Sequence, residues 1–359
     1  MKPAKFTLTL AVSSLLSMAA YGQIDLTLTG STAFRSIAQD RVGALYDAGF
    51  TVTVSNSNIR TYSGTMSTAI PAFASQPVTV RLSFSGSASG MASVQKGTPV
   101  TTVDPGSFAP VSKVPDVALS DVFPGSATPP IPNTAFAQRD TVGVVPFVFV
   151  RSGGATLGGI TNITRDQAIE LMVTGGLMPA TFLGGTNNNL VYLAGRDSGS
   201  GTRISVEKDI NFQGTPYLSF NATPGNPAGW AQTNGFSSGS DVATTLRLNG
   251  DAIGYLGLAD AKTIADPTNA TPAIILPYNG VTYSSTNVFS GKYGLWGYEH
   301  MVSRIGLSSN QGTLRNALVA AITNNGYQTT NTTYTVSFEN QNLMQVDRGT
   351  DGGTINGHF

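Results

Sequence analysis

The chain has 359 residues, 40% of them hydrophobic, enough for two domains of ordinary size with a core in each, which excludes general disorder. Only 11% are charged, with 20 basic residues balancing 20 acidic ones in no block, which excludes a nucleic-acid or anionic-membrane surface of clustered Lys and Arg. There is no cysteine for a disulfide or a lipid anchor, and an anionic ligand would have to be held by local dipoles rather than by overall charge.

At the N-terminus, MKPAKFTLTLAVSSLLSMAAYG places Lys2 and Lys5 before an apolar stretch from Phe6 to Ala20. Ala20 and Gly22 stand where a signal peptidase reads small residues, so residues 1–22 are expected to be a secretory signal cleaved before Gln23. The stretch is too short and too rich in Ser and Thr for a membrane span, and no later segment reads as one. The expected location is therefore periplasmic or extracellular.

IDLTLTGSTAF (24–34) reads as an alternating strand running into a small-residue turn, and RSIAQDRVGALYDAG after it has helical spacing. PVTVRLSFSGSASGMASVQKG repeats the arrangement. Residues 97–114 and 124–134, rich in Pro, Gly, Ser and Thr, are expected to be exposed loops flanking a short strand in VPDVALSD. TVGVVPFVFVRSG (141–153) is nearly continuous apolar sequence, as in a buried strand. TRDQAIELMVTGG predicts a helix capped by Thr164 and stopped at Gly175. LVYLAGRDSGSGTRISVEKD (190–209) is a third strand, turn and helix. A helix near Ser240 and Asp241, the strand in DAIGYLGLADA and a C-terminal helix in TLRNALVAAITNNG complete an α/β pattern with no solenoid repeat.

Three turns share one grammar: Thr29–Ala33, Ser85–Gly90 and Gly199–Thr202 each join a strand to a helix through Gly, Ser and Thr. A helix start carries free N–H groups and partial positive charge, glycine allows close approach, and Ser or Thr adds a hydroxyl. One such turn is ordinarily an N-cap or a flexible loop. Three converging on one cleft would hold a tetrahedral oxoanion with almost no net protein charge.

GRDSGSGTR resembles the Arg-x-x-Gly-Ser-Gly-Thr signature of the phosphate-binding subunit of bacterial ABC importers, a type II periplasmic binding protein. LTGSTAF, SGSASGMASV, PDVALSD, TRDQAIELMVTGG, GDAIGYLGLADA and YSSTNVFSGKYGLWGYEHM follow the family's order over most of residues 25–305. The resemblance implies a two-lobed α/β fold with a ligand cleft between the lobes, each lobe a mixed sheet flanked by helices. Lobe I would take 24–141 and 263–359, lobe II 142–262, with crossings near Val142–Val150 and Leu258–Leu276. It implies backbone donation from Thr32 and Ala33, with the Thr32 hydroxyl added, and donation from Ser87. Asp121 would accept the proton of a protonated phosphate, Arg196 would pair with both the anion and Asp121, and Ser200, Gly201 and Thr202 would donate from the third turn. A buried carboxylate beside an anion is tolerable where the anion brings a hydrogen to share, which disfavours sulfate. Ser198 stands where many members have an acidic residue, and the chain carries extra sequence at 55–78 and 92–114. The implied role is non-catalytic phosphate capture by a monomer, for an ABC permease, with no cofactor or metal.

Other chemistries fare worse. RDSGSG is similar to the surroundings of a serine-protease nucleophile, but only His300 and His358 exist and no His lies upstream. Two separated His without Cys make a poor zinc site, and SGSGT lacks the Lys of a nucleotide phosphate loop. His300, Trp296 and Tyr298 read as packing residues, and Arg35 and Arg41 as a solvated helix face. The rival from another class is an extracellular surface or adhesion protein that uses the binding-protein fold as a scaffold for its insertions.

Overall fold

The structure is a computed structural model that describes residues 24–74, 76–332 and 338–358; the expected signal segment lies outside them. Its strands are β1 (Ile24–Gly30), β2 (Thr51–Val54), β3 (Ile59–Thr65), β4 (Pro77–Phe84), β5 (Val100–Val103), β6 (Pro110–Lys113), β7 (Val117–Ser120), β8 (Gln138–Arg151), β9 (Met178–Pro179), β10 (Leu190–Ala194), β11 (Leu218–Asn221), β12 (Trp230–Thr233), β13 (Ala252–Gly257), β14 (Ile274–Ile275) and β15 (Trp296–Ser303). The main helices are α1 (Arg35–Gly43), α2 (Ser87–Lys96), α3 (Arg165–Thr174), α4 (Gly201–Asp209), α5 (Gly239–Leu248), α6 (Leu258–Ala265), α7 (Ser285–Phe289) and α8 (Ser309–Thr323). One mixed sheet runs in the order β2-β3-β4-β1-β7-β15-β8-β13-β10-β9.

β1 pairs in parallel with both β4 and β7, so all three strands end at the same edge of the sheet. That edge is where open α/β sheets bind ligands, because the turns leaving it lead into helix starts. Gly30, which ends β1, has φ +109°, and a Cβ there would lie 2.8 Å from the Leu119 nitrogen. Only glycine lets β1 turn this close to β7.

β8 is the long central strand. Gln138–Pro146 pairs with β15, and Phe147–Arg151 pairs with β13. The exchange of partners falls at Pro146, which has no N–H to give to a ladder. Val142, Val144, Val145, Phe147, Val148, Phe149 and Val150 are all buried, which accounts for the unbroken apolar run. β10 adds in parallel to β13, and its C-terminal end leads into α4.

Helix ends follow local chemistry. Thr164 and Gln167 form a reciprocal capping box on α3, as do Ser308 and Gln311 on α8. Ser200 caps α4, and Ser238 caps α5 two residues before Ser240. The core is continuous across the sheet, with Phe34, Phe147, Phe149, Tyr255 and Trp296 fully enclosed.

One expected loop and one segment of extra sequence hold regular structure. Within 97–114, β5 and β6 form an antiparallel hairpin in which Thr102 and Val103 are buried. The Val103 carbonyl accepts from Thr61 Oγ1 at 2.6 Å and from Arg81 Nη1 at 2.7 Å, fastening the hairpin to the sheet. Within 55–78, β3 inserts between β2 and β4. In both segments β-branched residues find partners that a Thr- and Ser-rich composition conceals.

Candidate anion-binding site

The three strand–turn–helix units occur as β1–α1, β4–α2 and β10–α4. Parallel pairing brings Thr32, Ser87 and Asp121 to one sheet edge, while β10 supplies Arg196, Ser200, Gly201 and Thr202 from the other half. Each of these side chains is buried, and Ala33 sits beside Thr32 with 6% exposure.

Asp121 is the centre of the arrangement. Its Oδ1 accepts from the Ser87 hydroxyl, and its Oδ2 from Thr202 Oγ1 at 3.4 Å. The Asp121 amide donates back to Ser87 Oγ at 3.4 Å, and the Asp121 carbonyl accepts from Ser205 Oγ at 3.2 Å. A side-chain carbon on Gly201 would overlap the carboxylate, so the start of α4 lies directly against it. Burial raises the Asp121 pKa, while the Ser87 hydroxyl and the charge of Arg196 draw it back down.

Arg196 is held differently from expectation. Its Nε donates to the Phe236 carbonyl at 3.1 Å, Nη2 to the Ser237 carbonyl at 2.8 Å, and Nη1 to Thr32 Oγ1 at 3.2 Å. The expected ion pair with Asp121 is not among the ion pairs of the described residues. Each guanidinium nitrogen is engaged by a carbonyl or a hydroxyl, and Arg196 acts on Asp121 through its field. Burial lowers its own pKa, and Asp197, Asp121 and Asp260 oppose that shift.

The helix starts are unequally committed. At α2, the amides of Ala88 and Ser89 donate to the Gly199 carbonyl at 3.1 and 3.4 Å, tying α2 to the third turn. The Ser200 hydroxyl accepts from the Arg203 amide at 3.3 Å, so its first duty is as a cap. By contrast, the amides of Thr32, Ala33, Ser87, Gly201 and Thr202 donate to no described residue. These are the backbone groups at the three turns that a tetrahedral oxoanion requires.

Two acidic residues that the sequence did not single out belong to this neighbourhood. Asp260, in the first turn of α6, feels the charges of Arg35 and Arg196, which partly offset a pKa raised by burial. Glu299, on β15, is fully buried near Asp121. Arg35 is half-buried and donates to Asn58 Oδ1 at 2.6 Å. His300 packs on Phe123 with ring centroids 4.5 Å apart, and Trp296 lies wholly in the core beneath the Arg348 guanidinium. Among the described residues there is no cluster of His, Cys, Asp and Glu able to hold a metal, and no helix long and apolar enough to cross a membrane.

No family model and no curated protein matches the chain by sequence. Among solved structures it is similar to a protein assigned as the substrate-binding component of a phosphate ABC transporter in Clostridium perfringens, solved with bound phosphate. That match has 13% identity and a TM-score of 0.55, and covers 85% of this chain and 95% of the other. It is also similar to an ABC-type phosphate transport receptor from Vibrio cholerae, at 16% identity and TM-score 0.48, covering 82% of this chain and 93% of that one. The mixed sheet with its helices has the fold of periplasmic phosphate-binding proteins.

Proposed function

We propose that the chain is a non-catalytic receptor for inorganic phosphate or a closely related protonated oxoanion, bound in a cleft between two lobes. The observation that carries this reading is the set of uncommitted amides at Thr32, Ala33, Ser87, Gly201 and Thr202, gathered at three helix starts around one buried carboxylate. The neighbour from Clostridium perfringens, solved with phosphate, supports it at the level of fold. Entry of the anion displaces the Asp121 carboxylate from the hydroxyls of Ser87 and Thr202, and Asp121 then accepts a proton from the ligand. A fully ionised sulfate has no proton to offer, so the same carboxylate repels it. Lys2 and Lys5 ahead of the apolar stretch Phe6–Ala20 support action outside the cytoplasm, with delivery to a membrane permease as the natural outlet.

The test is calorimetric titration of protein freed of anion by partial unfolding and refolding, first with phosphate and then with sulfate, beside an Asp121→Asn variant. Saturable phosphate binding, weak sulfate binding and a narrower preference in the variant support the reading. Failure of folded protein to bind either anion overturns it and favours a scaffold role for the β5–β6 hairpin and the β2–β3 edge.

A further inference from the structure

Glu299 takes no part in the hydrogen bonds around Asp121, yet it is fully buried and, among the described residues, neither of its carboxyl oxygens has a hydrogen-bond partner. A carboxylate buried without donors is among the most costly arrangements a fold can contain, so such a group takes up a proton or finds a partner. No cation pairs with it among the described residues.

Its position is set by the sheet. β15 runs antiparallel to β7 with Met301 opposite Leu119 and His300 opposite Ser120, where the pairing ends, so Glu299 and Asp121 each adjoin the last paired residue of their strands. Gly297, two residues earlier on β15, shows how closely this strand passes the Asp121 backbone. A Cβ there would lie 2.8 Å from the Asp121 carbonyl and 3.5 Å from Ser205 Oγ. Across β8 the register partner of Glu299 is Gly143, which offers no side chain. The first turn contributes the Ser31 hydroxyl, which accepts from the Phe34 amide at 3.2 Å and keeps its own O–H as the one donor near Glu299.

The charged surroundings are unbalanced. Asp121 acts on Glu299 from just past the end of β7, and Asp351, whose Oδ2 accepts from the Phe123 amide at 2.8 Å, feels Asp121 as well. Arg196 acts on Asp121 by its charge, with its Nε, Nη1 and Nη2 bonded to two carbonyls and Thr32. Along β15, His300 is buried, and Arg139 acts on it rather than on Glu299. Burial first, and the negative charge of Asp121 second, drive the Glu299 pKa well above the ordinary carboxyl range, with the Ser31 hydroxyl working the other way.

We propose that Asp121 and Glu299 form a carboxyl pair at the floor of the cleft, with Glu299 holding most of a proton at neutral pH, and that an arriving oxoanion makes Glu299 draw the remaining fraction from solvent while Asp121 accepts from the ligand. Two buried carboxyls side by side titrate as a pair, and a third negative group beside them favours further protonation. The ligand-linked half of the proposal rests on the phosphate reading above; the protonated pair does not. Glu299 thereby becomes a specificity-determining residue, keeping the floor of the site from facing the ligand with two full negative charges.

Two measurements on the full protein separate the parts. Infrared spectra of anion-free protein at neutral pH, compared with Glu299→Gln, should show a protonated-carboxyl band in the wild type that the nearly isosteric variant lacks. Identical spectra overturn the pair whether or not phosphate binds. Phosphate titrations at one pH, in buffers of differing ionisation enthalpy, then count the protons taken up on binding. The wild type should take up several tenths of a proton more than Glu299→Gln, the difference cancelling the titration of phosphate itself. Equal counts with phosphate bound overturn the linkage, whereas absence of phosphate binding with the infrared band present sinks the phosphate reading and leaves the pair standing.

Discussion

Arg196 donates from Nη1 to the hydroxyl of Thr32 at 3.2 Å, joining two sides of the cleft from positions 164 residues apart. The same guanidinium holds the Phe236 and Ser237 carbonyls, so one planar group fixes three segments at once. A lysine has one nitrogen where arginine has three and cannot reproduce that fork. Arg196→Lys should lower stability by about 1–3 kcal/mol, the range for losing hydrogen bonds to a buried charged group. Phosphate affinity should fall at least tenfold. Urea unfolding and titration calorimetry check the two effects separately.

Gly201 touches Asp121 and lies 2.6 Å, by the position a Cβ would take, from Ser87 Oγ. Gly201→Ala therefore drives a methyl into the carboxylate and forces α4 away from α2. Overpacking of this kind costs about 1–3 kcal/mol. The sharper expectation is a loss of anion affinity beyond tenfold with far-ultraviolet circular dichroism unchanged, since the donors move apart while the helices persist.

Gly30 makes the approach of β1 to β7 possible, and its φ of +109° is one that alanine adopts only under strain. Strain at such positions costs about 1–3 kcal/mol before any clash is counted. Gly30→Ala should lower the denaturation midpoint by more than any exposed glycine substitution, such as Gly225→Ala, where a Cβ has open space despite a positive φ.

His300 supplies a pH dependence with a definite sign. Burial holds its pKa down at about 3, against 6.5 for the free side chain. Below pH 6.5 the unfolded chain gains a proton that the folded chain does not accept until about pH 3, so this residue removes stability as pH falls through that window. The slope is about 1.4 kcal/mol per unit, or about 2 kcal/mol between pH 6.5 and 5. Asp209, pushed up to about 7, and Asp351, pushed up to about 6, act in the opposite sense, losing stability as pH rises from the ordinary carboxylate range. His300→Phe isolates the histidine: the wild-type curve should fall away from the variant curve below pH 6.5. Parallel curves would refute the assignment.

Much of this site was legible because strand, small polar turn and helix start form a local pattern. Thr32 lies between β1 and α1, Ser87 and Gly201 open the helices that follow the other two turns, and the apolar run of β8 announced a strand buried on both faces. The rest depends on partners distant in sequence. The carbonyls that hold Arg196 come from residues 236 and 237, in a stretch with no feature that marks it. Glu299 is a lone acid in an apolar strand, and only the register of β15 against β7 reveals what it faces. The β5–β6 hairpin read as a loop because Thr, Ser and Pro dominate it, while the contacts that order it come from Thr61 and Arg81.

β8 gives its first stretch to β15 and its last to β13, changing partners at Pro146 along one unbroken backbone. Neither half of the sheet is complete without that strand. If one half melts, the other is left with a bare edge of unpaired amides and carbonyls in the middle of its core. The molecule should therefore melt in a single calorimetric transition, and cutting the chain between β8 and α3 should not release either half as a folded fragment. The same backbone carries any twist that one half imposes on the other, so an opening of the cleft bends a ribbon instead of swinging on a loose joint.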